Sequence, residues 1–229
     1  MAQLAAVVFD LDDTLFDHSG SAARGFGSWL SSIHGPATPE LTAAWFELQD
    51  RHYNAWRDGL VSMAEQRRRR IGELLELIGR PPVDQSGLDA LWRDYFASYR
   101  AGWQRFDDAE VALELVAAAG LRTAILTNGP EDMQHDKVDV IGLAGRVGPV
   151  LTAEAVGSAK PDPGAYAALC AELDLDPATI LYVGDDHHLD VVAARAAGLR
   201  AVHLDRRGTG PAGEPDRIAS LHELAGHLG

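Results

Sequence analysis

The sequence lacks the features that stabilise or anchor proteins outside reducing compartments. Cys170 is its only cysteine, which excludes a disulfide within the chain and suits a reducing compartment. The N-terminus, MAQLAAVVFD, has neither the basic segment nor the long apolar run of a signal peptide. No stretch reaches the ~18 uninterrupted apolar residues that a membrane span needs. We therefore expect a cytoplasmic protein with no membrane partner.

Basic residues are also scarce. The chain has 20 Lys and Arg residues against 34 Asp and Glu residues, which gives a formal net charge of −14. A surface of this charge repels nucleic acid and anionic lipid at long range, so we expect no nucleic-acid partner. A small phosphorylated metabolite is not excluded, because a metal ion or a helix N-terminus can reverse the potential locally.

Five short apolar runs predict a sheet. Each has the length and β-branched content of a strand that is buried on both faces, as in parallel sheets. The runs are Ala5–Phe9, Thr123–Thr127, Val147–Thr152, Ile180–Val183 and Ala201–Leu204. Helix-like segments precede or separate the last four: Ala109–Ala119, Pro130–Ile141, Pro163–Leu173 and Leu189–Ala197. This alternation predicts an α/β fold, a parallel sheet with helices on both faces.

The stretch between the first two runs has a different pattern. Residues 17–104 contain almost no strand-like run, and their apolar residues recur at helical spacing. Helix-compatible pieces lie at Ser21–Ile33, Glu40–Arg57, Met63–Ile78 and Leu88–Arg100, with breaks at Gly35-Pro36 and Arg80-Pro81-Pro82. We expect their tryptophans to lie in the core and the run Arg67–Arg70 to be solvated or paired with nearby glutamates. The sequence thus predicts an all-helical insertion in one α/β core.

Polar residues follow three of the predicted strands. Asp10 ends the first run, Thr127-Asn128-Gly129 ends the second, and Gly184-Asp185-Asp186 ends the fourth. The carboxyl ends of parallel strands lie along one edge of an open sheet, where ligands bind. Alternation along an extended chain would point Asp10 and Asp12 to one side and Asp13 to the other. Crowded carboxylates suit a hard cation such as Mg²⁺, which Asp185 would help to bind. The alternative is a loop with helix-capping acids.

Four motifs appear in one order along the chain. They are Asp10-Leu11-Asp12-Asp13-Thr14, Thr127 with Asn128-Gly129, Lys160-Pro161, and Gly184-Asp185-Asp186-His187-His188-Leu189-Asp190. This set resembles the motifs of the haloacid dehalogenase-like (HAD) superfamily, specifically its phosphatases with a helical cap after the first strand. The resemblance covers essentially the whole chain. It implies a Rossmann-like catalytic core at 1–16 and 105–229 and a helical cap domain at 17–104.

The resemblance also implies a division of labour among the carboxylates. Asp10 would attack the substrate phosphorus and form an aspartyl-phosphate. Asp12 would protonate the leaving alcohol and then take a proton from the hydrolytic water. Mg²⁺ would be held by Asp10, the backbone carbonyl of Asp12, and Asp185, and would offset repulsion between Asp10 and the phosphate.

The remaining motif residues would bind phosphate or support the site. Thr127 and Lys160 would hold the phosphoryl oxygens, with help from backbone N–H groups near Asn128. Asp190 would orient Lys160 or a metal-bound water. Asp186 is open between a second metal ligand and a carboxylate that starts a helix.

Neighbouring residues have simpler interpretations. We expect Asp13 to be structural, through turn or backbone hydrogen bonds. For His187 and His188 we favour loop packing or substrate-entrance contacts over metal ligation. His18 lies where the hinge into the cap would be, and a substrate contact there stays open.

The function predicted from the sequence is Mg²⁺-dependent hydrolysis of a small-molecule phosphate monoester through an aspartyl-phosphate. Two alternatives from the same superfamily are a phosphomutase, with the same catalytic set, and a 2-haloacid dehalogenase, which needs neither metal nor the acid/base at Asp12. A non-catalytic phosphoacceptor or binding scaffold is the alternative from another class. The sequence does not identify the substrate, and it does not distinguish a monomer from a homodimer.

Overall fold

The computed structural model of the protein describes residues 2–229. The strands are β1 (Ala6–Phe9), β2 (Arg122–Thr127), β3 (Val150–Thr152), β4 (Ile180–Gly184), β5 (Arg200–Leu204) and β6 (Arg217–Ile218). The α-helices are α1 (His18–Ile33), α2 (Pro39–Arg57), α3 (Met63–Leu77), α4 (Gln85–Ala101), α5 (Asp107–Ala118), α6 (Glu131–Val140), α7 (Ala153–Val156), α8 (Pro163–Leu173) and α9 (Ala193–Ala196). A π-helix at His187–Val192 and 3₁₀ turns at Pro177–Thr179 and Leu221–His227 complete the described elements. No helix within residues 2–229 combines the length and the apolar character that crossing a membrane requires.

The six strands form one parallel sheet in the order β3-β2-β1-β4-β5-β6. The central strand β1 pairs with β2 on one side and with β4 on the other, and all four of its side chains are inaccessible to solvent. Its alternate residues Ala6 and Val8 join a core cluster with α8 and α9. The α/β fold with a parallel sheet is therefore confirmed. The order of the strands reverses at β1, and ligands bind at such positions in open α/β sheets.

Three local predictions differ from the structure. The third strand starts at Val150 and not at Val147, and directly before it lies Pro149, which has no N–H to donate to a neighbouring strand. The two-residue strand β6 was not predicted, since so short a segment carries no periodicity. The segment predicted as one helix from Leu189 is a π-helix followed by α9. Local π-helices are frequent at functional sites.

The described residues separate into two compact units, 2–18 with 103–229, and 19–102. The first unit contains the sheet. Within it, the two chain segments that lead to the second unit run side by side, since the Asp17 N–H donates to the Gln104 carbonyl at 3.0 Å. The second unit contains α2, α3, α4 and nearly all of α1.

The helical unit has an aromatic core. Trp29 and Trp45 are buried, as expected, whereas Trp56 and Trp92 are half-buried. The rings of Trp29, Trp45, Tyr95 and Phe26 contact one another at centroid distances of 4.7–6.4 Å. Thr38, Ser62 and Asp84 cap the starts of α2, α3 and α4 by accepting a backbone hydrogen bond.

The run Arg67–Arg70 is divided among different surroundings. Arg69 pairs with Glu65 at 2.8 Å, as the sequence predicts, and Arg68 forms two hydrogen bonds to an aspartate of α4. Arg70 is buried, and its guanidinium lies 4.3 Å from the centroid of a tryptophan ring of α2. A continuous basic surface does not form, because four successive helical residues point in different directions.

Candidate active site

Three predicted site carboxylates meet at the carboxyl edge of the sheet. Asp10 directly follows β1, Asp185 directly follows β4, and Asp190 lies on the π-helix after β4. One oxygen from each lies within 4.8 Å of one oxygen from each of the others. Gly184 makes this approach possible, since a Cβ at that position would overlap the Asp190 carboxyl group. The structure thus brings Asp10 and Asp185 together as the sequence predicts.

The electrostatics of this group favour a bound cation. Burial raises the pKa of Asp10 to about 7, although the neighbouring Lys160 opposes the rise. Burial and the charge of Asp10 together raise the pKa of Asp185 to about 9. Such shifts mean that the carboxylates resist sharing one negatively charged site. Three carboxylates this close together could hold a hard cation, because such cations prefer oxygen ligands.

Lys160 is buried beside these carboxylates and contacts three partners. Its Nζ donates to Asp10 Oδ1 at 2.8 Å, to Asp190 Oδ1 at 2.6 Å and to the Tyr182 hydroxyl at 2.9 Å. Burial would lower the pKa of Lys160, but the charges of Asp10 and Asp190 outweigh it and raise the pKa well above its ordinary value. Of the two roles predicted for Asp190, the geometry favours orientation of Lys160.

The Asn128 side chain forms two hydrogen bonds to the backbone of Lys160. Its Nδ2 donates to the Lys160 carbonyl at 2.7 Å, and its Oδ1 accepts from the Lys160 N–H at 2.7 Å. The side chain predicted near the phosphate therefore also positions the lysine. A contact between phosphate and the backbone N–H groups around Asn128 stays a prediction.

Asp12 does not share its partners with Asp10. Its Oδ1 accepts from Lys137 Nζ at 2.6 Å, and its Oδ2 accepts from Gln134 Nε2 at 3.0 Å. Burial would raise the pKa of Asp12, but Lys137 and His18 outweigh that effect and lower it to about 2. Asp10 and Asp12 thus each bind a different lysine, and a shared target for the two carboxylates stays a prediction.

Thr127 belongs to the same network as Asp12. Its hydroxyl lies at the end of β2, where it accepts from Gln134 Nε2 at 2.5 Å. Gln134 thus links the predicted phosphate-binding threonine to the predicted acid/base.

The turn after β1 explains the position of Asp13. Its φ is 59°, and its N–H donates to the Phe16 carbonyl at 2.7 Å. The chain leaves the extended conformation here, and Asp13 takes the turn role that the sequence predicts.

The residues around the fourth motif mostly support the loop. Asp186 Oδ1 accepts from the N–H groups of His188 and Leu189, which favours the helix-start alternative over metal ligation. His187 Nε2 lies 3.0 Å from an oxygen of Glu214 and so packs against the loop after β5. His18 Nδ1 lies 3.8 Å from Asp12 Oδ1.

Three residues of the site were not predicted from the sequence: Gln134, Lys137 and Tyr182. Gln134 and Lys137 are three residues apart on α6 and therefore lie on one helical face. A compositional signal was available for Lys137, because the chain has only two lysines among its 20 basic residues and Lys160 is the other. Tyr182 gave no such signal, since a tyrosine within β4 is ordinary strand composition.

Comparison with known proteins agrees with this geometry. Residues 4–198 match the family described as haloacid dehalogenase-like hydrolase. The chain belongs to this family. The HAD-like chain is 35% identical over 205 residues to a phosphoserine phosphatase of Thermus thermophilus, covering 87% of this chain and 77% of the relative. It is 31% identical over 211 residues to a plasmid-encoded phosphoglycolate phosphatase of Cupriavidus necator, covering 91% and 84% of the two chains.

A solved structure supports the fold of the HAD-like chain. The magnesium-bound HAD-hydrolase YfnB of Bacillus subtilis superimposes with a TM-score of 0.82 over 99% of both chains, at 21% identity. This likeness extends to the helical insertion as well as the sheet. The predicted family and the predicted α/β fold with a helical insertion are therefore confirmed.

Proposed function

We propose that the protein is a Mg²⁺-dependent phosphatase that hydrolyses a phosphate monoester of a small molecule through an aspartyl-phosphate on Asp10. The observation that carries this proposal is the separation of two carboxylates, two residues apart, into different surroundings. Asp10 lies beside Lys160 among the carboxylates of the sheet edge, and Asp12 lies beside Lys137 and Gln134. Because their hydrogen-bond partners differ, the two carboxylates can take different roles, Asp10 as the nucleophile and Asp12 as the proton carrier.

In the first step, an oxygen of Asp10 forms a bond to phosphorus while the bond from phosphorus to the leaving oxygen breaks. Asp12 donates the proton that the leaving alcohol needs. In the second step, Asp12 takes a proton from a water molecule whose oxygen attacks the same phosphorus, which releases inorganic phosphate and restores Asp10. Thr127 would hold a phosphoryl oxygen during both steps, and Lys160 would do so by exchanging one of its three present hydrogen bonds for the substrate.

Mg²⁺ would be held by the carboxylates of Asp10 and Asp185 and by the Asp12 backbone carbonyl. When bound, it would supply positive charge that offsets repulsion between these carboxylates and the substrate phosphate. Asp190 is a weaker candidate ligand, because both of its oxygens already accept hydrogen bonds, from Lys160 and from the Asp186 N–H.

We assign the catalytic core to residues 1–16 and 105–229 and a substrate-selecting cap to residues 17–104. The division into a sheet-containing unit and a helical unit supports this assignment. The relatives named above are phosphatases of phosphoserine and phosphoglycolate, both small, which supports a small phosphorylated metabolite as the substrate.

The surroundings of Asp12 favour a phosphatase over a 2-haloacid dehalogenase. A dehalogenase would use the nucleophile but has no need of a proton carrier two residues later. Here Asp12 is held through both carboxylate oxygens. A dehalogenase would release chloride from 2-chloropropionate, and a phosphomutase would return an isomeric phosphate ester with no inorganic phosphate.

The test is phosphate release from a panel of phosphorylated metabolites with Mg²⁺. We expect the wild-type protein to hydrolyse at least one, EDTA to abolish turnover, and Mg²⁺ to restore it. Asp10→Asn should reduce turnover by at least about 10³-fold, because removal of a nucleophile leaves only binding and electrostatic contributions. Asp132→Asn, at an exposed position at the start of α6, is the control and should retain full activity.

Two results would contradict the proposed function. One is a wild-type protein that releases phosphate from no ester of the panel. The other is Asp10→Asn turning over at the wild-type rate, which would remove the aspartyl-phosphate from the mechanism.

A further inference from the structure

Lys137 is almost completely buried, whereas the Asp12 carboxyl group that it contacts is partly exposed to solvent. The Lys137 side chain is 3% exposed, whereas the Asp12 side chain that it contacts is 32% exposed. The Nζ also lies 5.0 Å from the centroid of the Phe16 ring, so an aromatic face covers part of the ammonium group. Lys137 reaches Asp12 from the protein interior and has little access to any substrate. Any effect it has on the reaction must therefore act through Asp12.

Gln134 binds the second oxygen of the Asp12 carboxylate. It lies one turn before Lys137 on α6 and is fully buried. Its Nε2 contacts Asp12 Oδ2 and Thr127 Oγ1, so one amide group fixes the second oxygen of Asp12 relative to the end of β2. With both oxygens bound, the carboxyl group cannot rotate without breaking at least one charge-assisted hydrogen bond.

The choice of lysine at position 137 is not explained by stability alone. Burial of an ammonium group costs several kcal/mol unless it is paired, and replacement of a buried ion pair by apolar residues is often neutral or stabilising. Eighteen of the 20 basic residues are arginine. The two lysines each contact one carboxylate of the first motif.

We propose that Lys137 and Gln134 are positioning residues that hold the Asp12 carboxyl group in the orientation required for proton transfer to the leaving oxygen. The proposal rests on the phosphatase function and deepens it. Proton transfer by a placed acid contributes roughly 10²–10⁴-fold to rate, and its efficiency depends on hydrogen-bond geometry. A displacement of about 1 Å can cost about 10²-fold.

Dependence on the leaving group distinguishes this role from a structural one. An alkyl phosphate loses a basic alkoxide and needs a proton from Asp12, whereas p-nitrophenyl phosphate loses a stable phenolate and needs little help. We expect Lys137→Met to lower kcat/KM by about 10- to 100-fold for the alkyl ester but by less than about threefold for p-nitrophenyl phosphate. The alkyl probe is phosphoglycolate or glycerol 2-phosphate, whichever the wild type hydrolyses faster.

A double-mutant cycle tests whether Lys137 acts through Asp12. In the Asp12→Asn background, Lys137→Met should lower kcat/KM for the alkyl ester by less than about threefold, because the group it positions no longer transfers a proton. Arg146→Met is the matched control, since Arg146 pairs with Glu110 away from these residues, and it should leave the ratio of the two esters unchanged.

Gln134→Leu keeps the test decisive if Lys137→Met does not fold. It removes the neutral amide that bonds to Asp12 and Thr127, and it should lower kcat/KM for the alkyl ester more than for p-nitrophenyl phosphate. The proposal is overturned if either folded variant slows both esters equally, if neither variant slows the alkyl ester, or if the double mutant shows additive losses. A wild type that hydrolyses no ester would instead refute the phosphatase function, so the two failures are distinguishable.

Discussion

Replacement of Lys160 by methionine should destabilise the protein strongly and make it more responsive to Mg²⁺. The side chain keeps its length but loses the charge that three buried partners share. Asp10, Asp185 and Asp190 then lie close together without the positive charge that Lys160 supplies. Breaking a buried ion pair in this way typically costs about 3–5 kcal/mol.

Proton uptake limits the loss at neutral pH. The pKa values of Asp10 and Asp185 are already raised to about 7 and about 9, so one of the crowded carboxyl groups can bind a proton when the lysine is removed. We therefore take the lower end of the range, about 3 kcal/mol. For a chain of this size, 1 kcal/mol shifts Tm by roughly 2–4 °C, so Lys160→Met should lower Tm by about 6–12 °C.

The assay is thermal unfolding of wild type and variant in EDTA and in excess Mg²⁺. We expect Mg²⁺ to raise the Tm of Lys160→Met more than that of the wild type, because the ion supplies charge that the lysine no longer supplies. Tyr182→Phe is the matched control: it keeps the charge, removes one hydrogen-bonding hydroxyl and should cost about 1–2 kcal/mol. The reasoning is wrong if Lys160→Met unfolds in EDTA within about 2 °C of the wild type, or if Mg²⁺ stabilises it less.

Two further predictions concern residues that support the site. Gly184→Ala should lower kcat at least about 10²-fold, because the added Cβ would displace the Asp190 carboxyl group. Thr127 lies at the end of another strand and should not move. Unchanged kinetics would contradict the predicted overlap between the Cβ and Asp190. Glu214→Gln should cost about 2 kcal/mol at pH 7, since hydrogen bonds from an arginine and from His187 hold the pKa of Glu214 at about 2, below its ordinary 4.5. Because that pKa is depressed, the stabilisation is present above about pH 4.5 and is lost as pH falls towards 2, so unfolding curves of wild type and variant should converge there and stay apart at pH 7.

The sequence was sufficient to predict the sheet edge because each of those residues is tied to a strand end. Asp10 and Asp185 follow short apolar runs that predict buried strands, and Thr127 ends another. Parallel strands bring their carboxyl ends together. Lys160 does not follow a strand, and only the resemblance to the family motif predicted it. For the other three residues a position along the chain was enough, and no knowledge of helix orientation was required.

Residues on helices were harder to predict. Gln134 and Lys137 reach the site only because α6 turns one face towards Asp12, and α6 has a weakly amphipathic sequence in which both residues resemble solvent-facing ones. The turn after β1 raised a similar difficulty. The alternation of side chains assumed for residues 10–13 depends on an extended backbone, and the positive φ of Asp13 ends that conformation.

The preference for lysine at both carboxylates has a geometric reason. Elsewhere in the chain arginines bind carboxylates through two nitrogens, as Arg206 does with Asp108, and such a fork occupies both oxygens. A lysine is a point donor that engages a single oxygen. Lys160 bonds only to Oδ1 of Asp10, which leaves Oδ2 to approach phosphorus, and Lys137 bonds only to Oδ1 of Asp12, which leaves Oδ2 to the neutral Gln134 amide. An arginine fork at position 160 would also cover Oδ2 of Asp10, the oxygen that attacks phosphorus in the proposed reaction.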